Sequence, residues 1–309
     1  MRPHINKILL AVILVFSLNN TLPAQDTNGD RQNTVHLKMG YSKVVFQEAD
    51  PKDANAAFIV WAKVLQRDLQ VKHNIDTELT SIVYETVNSL EDAIRKNEVD
   101  VLGLTAIEYF ALKDKYNLLP GLTGLIDENI YSNYILVVRH DSGINNLQDL
   151  LQRDLILPPL GKNPFIEIWL TNLLASQKKT KKELFFKKIE VVEKESNALY
   201  SVFFNKSDCA ISLKRTFDVV SSLNPQIKKS LKILAMSPDL VIGLAAFRRD
   251  TGSSRINAYL EVAKDAHTTP EGSNILKIFR SKKLVEITEK DLESTKQLID
   301  SYNLIIKKK

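Results

Sequence analysis

Strand-like and helix-like patterns alternate along this chain in two successive series, and that alternation restricts the possible fold more than any other feature. Residues 35–40 (VHLKMG) read as a short strand. Asp50 and Pro51 then supply a cap and a first-turn proline for a helix. Ala57, Trp61, Val64, Leu65 and Leu69 recur behind them at helical spacing. Residues 77–83 (TELTSIV) alternate with period two, Ser89 and Asp92 open a second helix, and residues 99–104 (VDVLGL) read as a buried strand. Thr105, with Glu108 three residues later, forms a capping box. Residues 134–139 (YILVVR) begin the second series. Strands follow at 154–158, 188–192 and 208–213, separated by helices opening at Asn163-Pro164, near Ser196 and near Thr216. Two returning strands, 231–235 and 241–247, lead into helices near 254–266, 271–279 and 290–304.

Such alternation predicts mainly parallel sheets covered by helices on both faces. Two series with a helical tail predict two α/β lobes, one of 34–135 with 244–309 and the other of 136–243. The tail is expected to pack back on the first lobe. Strands near 134–139 and 231–247 would cross between the lobes. Ligands of open parallel sheets bind beyond the carboxyl ends of the strands, where helix N-termini point. Two such lobes facing each other would make an interlobe cleft with a hinge.

Composition narrows the class further. With 309 residues, 44% of them hydrophobic and 26% charged, the chain can bury a core in each of two domains. Arg2 and Lys7 precede an apolar run at 8–18, and Leu22-Pro23-Ala24 offers a cleavage site after Ala24. Residues 1–24 therefore read as a secretory signal peptide, with no stable membrane insertion after its removal. Cys209 is the only cysteine, so no internal disulfide can form, and its apolar neighbours predict a buried thiol. The net charge of +5 falls to +3 without Arg2 and Lys7. The lysine-rich run at 178–188 lacks the aromatic interleaving of a nucleic-acid site and reads as a solvated surface. His4, His36, His73, His140 and His267 show no metal-ligand spacing, and no nucleophile elbow, zinc-protease motif or phosphate loop is present. No cofactor and no enzymatic activity are expected.

Several segments in this order and spacing resemble one family. They are Gly40-Tyr41-Ser42; 90–104 (LEDAIRKNEVDVLGL) leading into 105–109; 134–151 (YILVVRHDSGINNLQDLL); 195–199 (ESNAL); and 231–250 (LKILAMSPDLVIGLAAFRRD). From about Leu37 to the last helix the chain resembles the phosphate/phosphite/phosphonate-type substrate-binding proteins of ABC importers. The resemblance implies a type II periplasmic-binding fold, two α/β lobes joined by two crossing strands, and export to the periplasm or its equivalent. It also implies a monomer that hands a small anionic ligand to an ABC permease. The alternative is a sensory module of the same fold acting on a membrane sensor protein, with an exported enzyme on the same fold as a remote third.

The departures from the family pattern concern the ligand. Gly161-Lys162-Asn163-Pro164 stands where relatives carry a Ser/Thr-rich stretch holding phosphonate oxygens. Lys194 replaces a histidine, Arg215 falls near an acidic residue that meets a ligand amine, and Val87 replaces a tyrosine. These exchanges remove hydroxyls and add cations, which implies an anion without an amine. The candidate binding residues are Tyr41, Ser42, Thr105, Tyr131, Ser132, Tyr134, Lys162, Asn163, Lys194, Ser196, Asn197 and Arg215. Each has a plainer role open to it. Thr105 and Asn163 would serve as helix caps, the tyrosines as interface packing, and Lys162 as a solvated lysine. Arg215 would serve as the surface partner of Asp218 or Glu195.

Overall fold

The computed structural model describes residues 34–45, 51–176, 181–278 and 280–307. The signal segment, Asp50 and part of the lysine-rich run lie outside them. The body from Val35 onward holds two mixed sheets.

The first sheet contains six strands: β1 (Val35–Ser42), β2 (Thr77–Tyr84), β3 (Val101–Thr105), β4 (Leu118–Leu125), β10 (Gly243–Arg248) and β11 (Lys283–Glu286), in the order β11-β4-β10-β3-β1-β2. The second contains β5 (Tyr134–Arg139), β6 (Asp154–Leu157), β7 (Lys188–Val191), β8 (Cys209–Leu213) and β9 (Leu231–Met236), in the order β7-β6-β8-β5-β9. Burial follows position. The central strands β3 and β8 are buried at every residue, as their unbroken apolar sequences require. The edge strand β2 alternates over its first four residues.

The sheets are less parallel than expected. β1 runs parallel to β2 and β3, and β6 parallel to β7 and β8, but β10 is antiparallel to β3 and β5 antiparallel to β8. The reason is connectivity. β5 and β10 each follow a crossing from the other sheet, so they start at the end where the parallel strands finish. The crossings are not strands but short connectors, and they are stitched to each other. Ser132 N–H donates to Leu240 O (2.8 Å) and Leu240 N–H to Ser132 O (3.1 Å). The Asn133 amide adds bonds to Ser237 O, Pro238 O and the Asp239 carboxylate.

Helices α1 (Pro51–His73), α2 (Val87–Arg95) and α3 (Ala106–Tyr116) follow strands of the first sheet. In the second sheet's half lie α4 (Phe165–Ala175), the short α5 (Lys182–Phe185), α6 (Glu195–Phe203), α7 (Lys214–Leu223) and α8 (Pro225–Ser230). α9 (Ser253–Asp265), α10 (Pro270–Ile278) and α11 (Glu293–Lys307) complete the chain. α9 and α10 pack with α1 on the first sheet, as the tail was expected to do. α11 differs: it lies chiefly against α4, where the Asn172 amide donates to Leu298 O (3.1 Å). Leu298 and Ile299 supply its buried stripe. Among the described residues no helix is long and apolar enough to cross a membrane.

Candidate functional site

The carboxyl ends of β1, β3 and β8 and the amino ends of β5 and β10 border one cavity of about 200 Å³. Tyr41, Thr105 and Gly243 reach it from the first sheet, and Ile130, Ser132 and Ile242 from the connectors. Tyr134, Asn163, Leu213 and Arg215 reach it from the second. The cavity also runs into the apolar cluster between the first sheet and its helices, where Phe58, Trp61, Leu122, Tyr259 and Ile275 form the wall.

The start of α3 is filled by the chain's own carboxylate. Thr105 is its N-cap, and its hydroxyl accepts the Glu108 N–H. The Glu108 side chain turns back to accept both the Thr105 N–H and the Thr105 hydroxyl, each at 2.8 Å. Its other oxygen accepts the Ser42 hydroxyl. A negative group at a helix N-terminus is favourable, and this one is only 6% exposed. The next amide, Ala106 N–H, donates to Ile242 O (2.9 Å) on the connector. The Thr105 N–H and hydroxyl and the Ala106 and Glu108 N–H groups are therefore committed inside the protein, and Ser42 is buried behind the cavity wall.

The second sheet presents the opposite arrangement. Glu195, in the first turn of α6, accepts Leu213 N–H (2.7 Å) and the Thr216 hydroxyl (2.9 Å) at the start of α7. Asp218 pairs with Lys214 at 2.7 Å. Both partners open to Arg215 on sequence grounds are thus engaged elsewhere. Arg215 is half-buried on the cavity wall and has no ion-pair partner among the described residues. A guanidinium held partly out of water without a counter-ion favours an anionic ligand.

Asn163 is a wall residue and not the N-cap of α4. Pro164 takes the cap position of α4, while the Asn163 amide donates to Pro159 O (3.1 Å). Its Oδ1 accepts a long bond (3.4 Å) from the Tyr134 hydroxyl. Burial, and then the nearby Glu195 charge, push the Tyr134 phenol well up, with Arg215 pulling the other way. The Tyr41 ring stacks on Phe58 with centroids 3.8 Å apart. The hydroxyls of Tyr41 and Tyr259 both reach Met39 Sδ at 3.5 Å. Burial raises the Tyr41 phenol well above its ordinary value and pushes Tyr259 up to about 12. Gly103 permits this packing, because a Cβ there would lie 2.4 Å from the Tyr41 ring.

The structure thus gathers Tyr41, Thr105, Ser132, Tyr134, Asn163 and Arg215 around the cavity. Tyr131 is half-buried away from its wall, Lys194 and Asn197 are exposed on α6 or its cap, and Ser196 is half-buried beside them. Lys162 sits in the short 3-10 turn before Asn163, and its side chain is outside the described residues. Sequence reasoning missed Phe58, Trp61, Tyr259 and Arg280. Phe58 and Trp61 are three residues apart on one face of α1, a spacing that signals packing as readily as a binding wall.

Among solved structures, a Xanthomonas citri protein bound to chloride ion is similar, with a TM-score of 0.62 and 14% identity over 89% of this chain and 99% of that one. The same protein has also been solved bound to ATP. PhnD1 from Prochlorococcus marinus in complex with methylphosphonate gives a TM-score of 0.56 and 14% identity, covering 87% of this chain and 98% of that one. A binding protein component of an ABC phosphonate transporter from Pseudomonas aeruginosa gives 0.54 and 12%, covering 88% of each chain. These likenesses show a type II periplasmic-binding fold. No curated protein matches the chain in sequence. The profile of the ABC transporter, phosphonate, periplasmic substrate-binding proteins matches residues 44–292, most of the chain, and the protein belongs to that family.

Proposed function

We propose that this protein captures a small oxyanion of the phosphate or phosphonate kind at Arg215 and delivers it to an ABC importer. One observation carries the reading: Arg215 lies on the cavity wall with no counter-ion among the described residues, while Glu195 is spent on the start of α7 and Asp218 on Lys214. The solved relatives support it, since chloride, ATP and methylphosphonate are all anions. In this reading residues 34–135 with 244–309 and residues 136–243 act as two lobes that close on the ligand. The monomeric mature chain starts after Ala24. Asn163 and Ser132 are polar residues on the same wall as Arg215, and the Ser132 hydroxyl has no partner among the described residues.

Titration calorimetry with phosphate, phosphite and methylphosphonate tests the proposal. A hydrogen bond to a charged group is worth about 1.5–3 kcal/mol, so Arg215→Gln should weaken the best of these ligands by about tenfold to a hundredfold. Undiminished affinity in Arg215→Gln, or no binding of any oxyanion, would refute it. N-terminal sequencing of the exported chain checks the cleavage point.

A further inference from the structure

We infer that the ligand is an anion carrying an apolar body of about five or six carbons, seated over Ala245 on the first sheet's side of the cavity. The inference rests on the anion reading of Arg215 and goes beyond it by naming what the rest of the cavity takes. A site built for a compact inorganic oxyanion would surround it with donors. Here the wall carries Arg215, Arg280 and the Ser132 hydroxyl, and its remaining polar side chains are committed. Thr105 serves Glu108, Thr123 donates to Gly243 O (2.7 Å), and Asn163 serves Pro159. The phenols of Tyr41 and Tyr259 are turned to Met39, so those two residues face the cavity as hydrocarbon rings.

The apolar wall is continuous with the first sheet's core. Tyr41, Phe58, Trp61, Leu122 and Tyr259 belong both to that cluster and to the cavity lining. Ala245 also lines it and is only half-buried, although it sits in the central strand β10, where its neighbours Leu244 and Ala246 are buried. Space is therefore open over its methyl group. The volume sets the scale. An apolar cavity of about 150 Å³ takes a benzene ring. At about 200 Å³ this one has room for a six-carbon body beside a headgroup.

Calorimetry with methylphosphonate, pentylphosphonate and 1-pentanol on the purified exported chain tests the inference. Each buried methylene contributes about fourfold in affinity. With part of that lost to ordering the chain, pentylphosphonate should bind at least about thirtyfold more tightly than methylphosphonate, and at least about tenfold more tightly than pentanol, which lacks the charge. Ala245→Leu fills the space over β10 and should cut the pentyl-to-methyl ratio to about threefold or less. The ligand comparison needs no variant, so a folding defect in Ala245→Leu would not obscure it. If methylphosphonate binds and the pentyl chain adds nothing, this inference falls and the anion reading stands. If pentanol binds as well as pentylphosphonate, or no phosphonate binds, the anion reading falls and takes this inference with it.

Discussion

The Glu108 carboxylate gives a sharp test of how the first sheet's end of the cavity is built. Replacing it with alanine removes the acceptor of the Thr105 N–H and of two hydroxyls in a buried setting. The two hydroxyls can rotate toward other acceptors, but the Thr105 N–H is fixed. Stranding such a donor costs about 1–3 kcal/mol, and the lost favourable charge at the start of α3 adds about 0.3–1 kcal/mol. We expect Glu108→Ala to lose about 3 kcal/mol in urea unfolding followed by circular dichroism. In a chain of this size that corresponds to a fall of about 5–10 °C in thermal midpoint. Glu108→Gln keeps one carbonyl oxygen for the Thr105 N–H and offers its amide to Ser42, whose hydroxyl can turn to accept. It should lose only about 1 kcal/mol. The alanine variant also frees donors at the start of an eleven-residue helix, so added phosphate should raise its midpoint more than that of the parent. An alanine variant within about 0.5 kcal/mol of the parent, typical of exposed substitutions, would refute the reasoning.

Other consequences follow from the same geometry. A Cβ at Gly272 would sit 2.1 Å from the Ala266 carbonyl oxygen, whereas one at Gly161 meets nothing within 4 Å. Urea midpoints should therefore show Gly272→Ala losing about 2 kcal/mol or more and Gly161→Ala neutral or gaining up to about 1 kcal/mol. Burial pushes the Cys209 thiol far up, so Ellman's reagent should label it only on unfolding. The Asn145 N–H, with that of Asn146, holds the Asp149 carboxyl below its ordinary value, and the Thr288 N–H does the same for Asp291. Folded values below the unfolded one of about 3.9 mean stability that is present above that pH and lost as pH falls through the folded values. Thermal midpoints should drop below about pH 4, and the double change Asp149→Asn, Asp291→Asn should make the drop shallower.

Most of the fold was legible because continuous apolar runs such as CAISL and ESNALYSVF-type helical patterns each point to one element. The strands that escaped were β4 and β11. Pro120, Gly121 and Gly124 make β4 look like a loop. It is nevertheless interior, paired with β10 across a register shift at Ala245/Ala246, and Gly121 is needed there because a Cβ would strike the Phe247 ring. The cap of α2 moved from Ser89 to Thr86, with Ser89 as the reciprocal third residue, because a capping box is nearly symmetric in sequence. At the site, local motifs marked strand ends correctly but could not show where a side chain's hydrogen bonds go. The Thr105–Glu108 spacing was visible. Its closure by Ser42, sixty-six residues away from Glu108, was not.

On the proposed reading, that hidden closure divides the work of recognition between the two sheets. In the first, a built-in carboxylate occupies the helix start and leaves rings and aliphatic groups facing the cavity. In the second, Glu195 caps α7 and leaves Arg215 uncompensated. A ligand shifts a pair of arrangements only by contacting one better than the other. A headgroup alone would touch chiefly the second sheet, and a hydrocarbon alone chiefly the first, so neither would draw the two together strongly. On that reading, a molecule with both parts would engage Arg215 and the apolar side of the cavity at once. The stitched connectors at Ser132 and Leu240 lie on or beside the wall between them, where any relative rotation of the sheets would be felt. Closure and selectivity would then come from the same requirement, that charge and apolar surface be joined in one ligand at the distance the cavity sets.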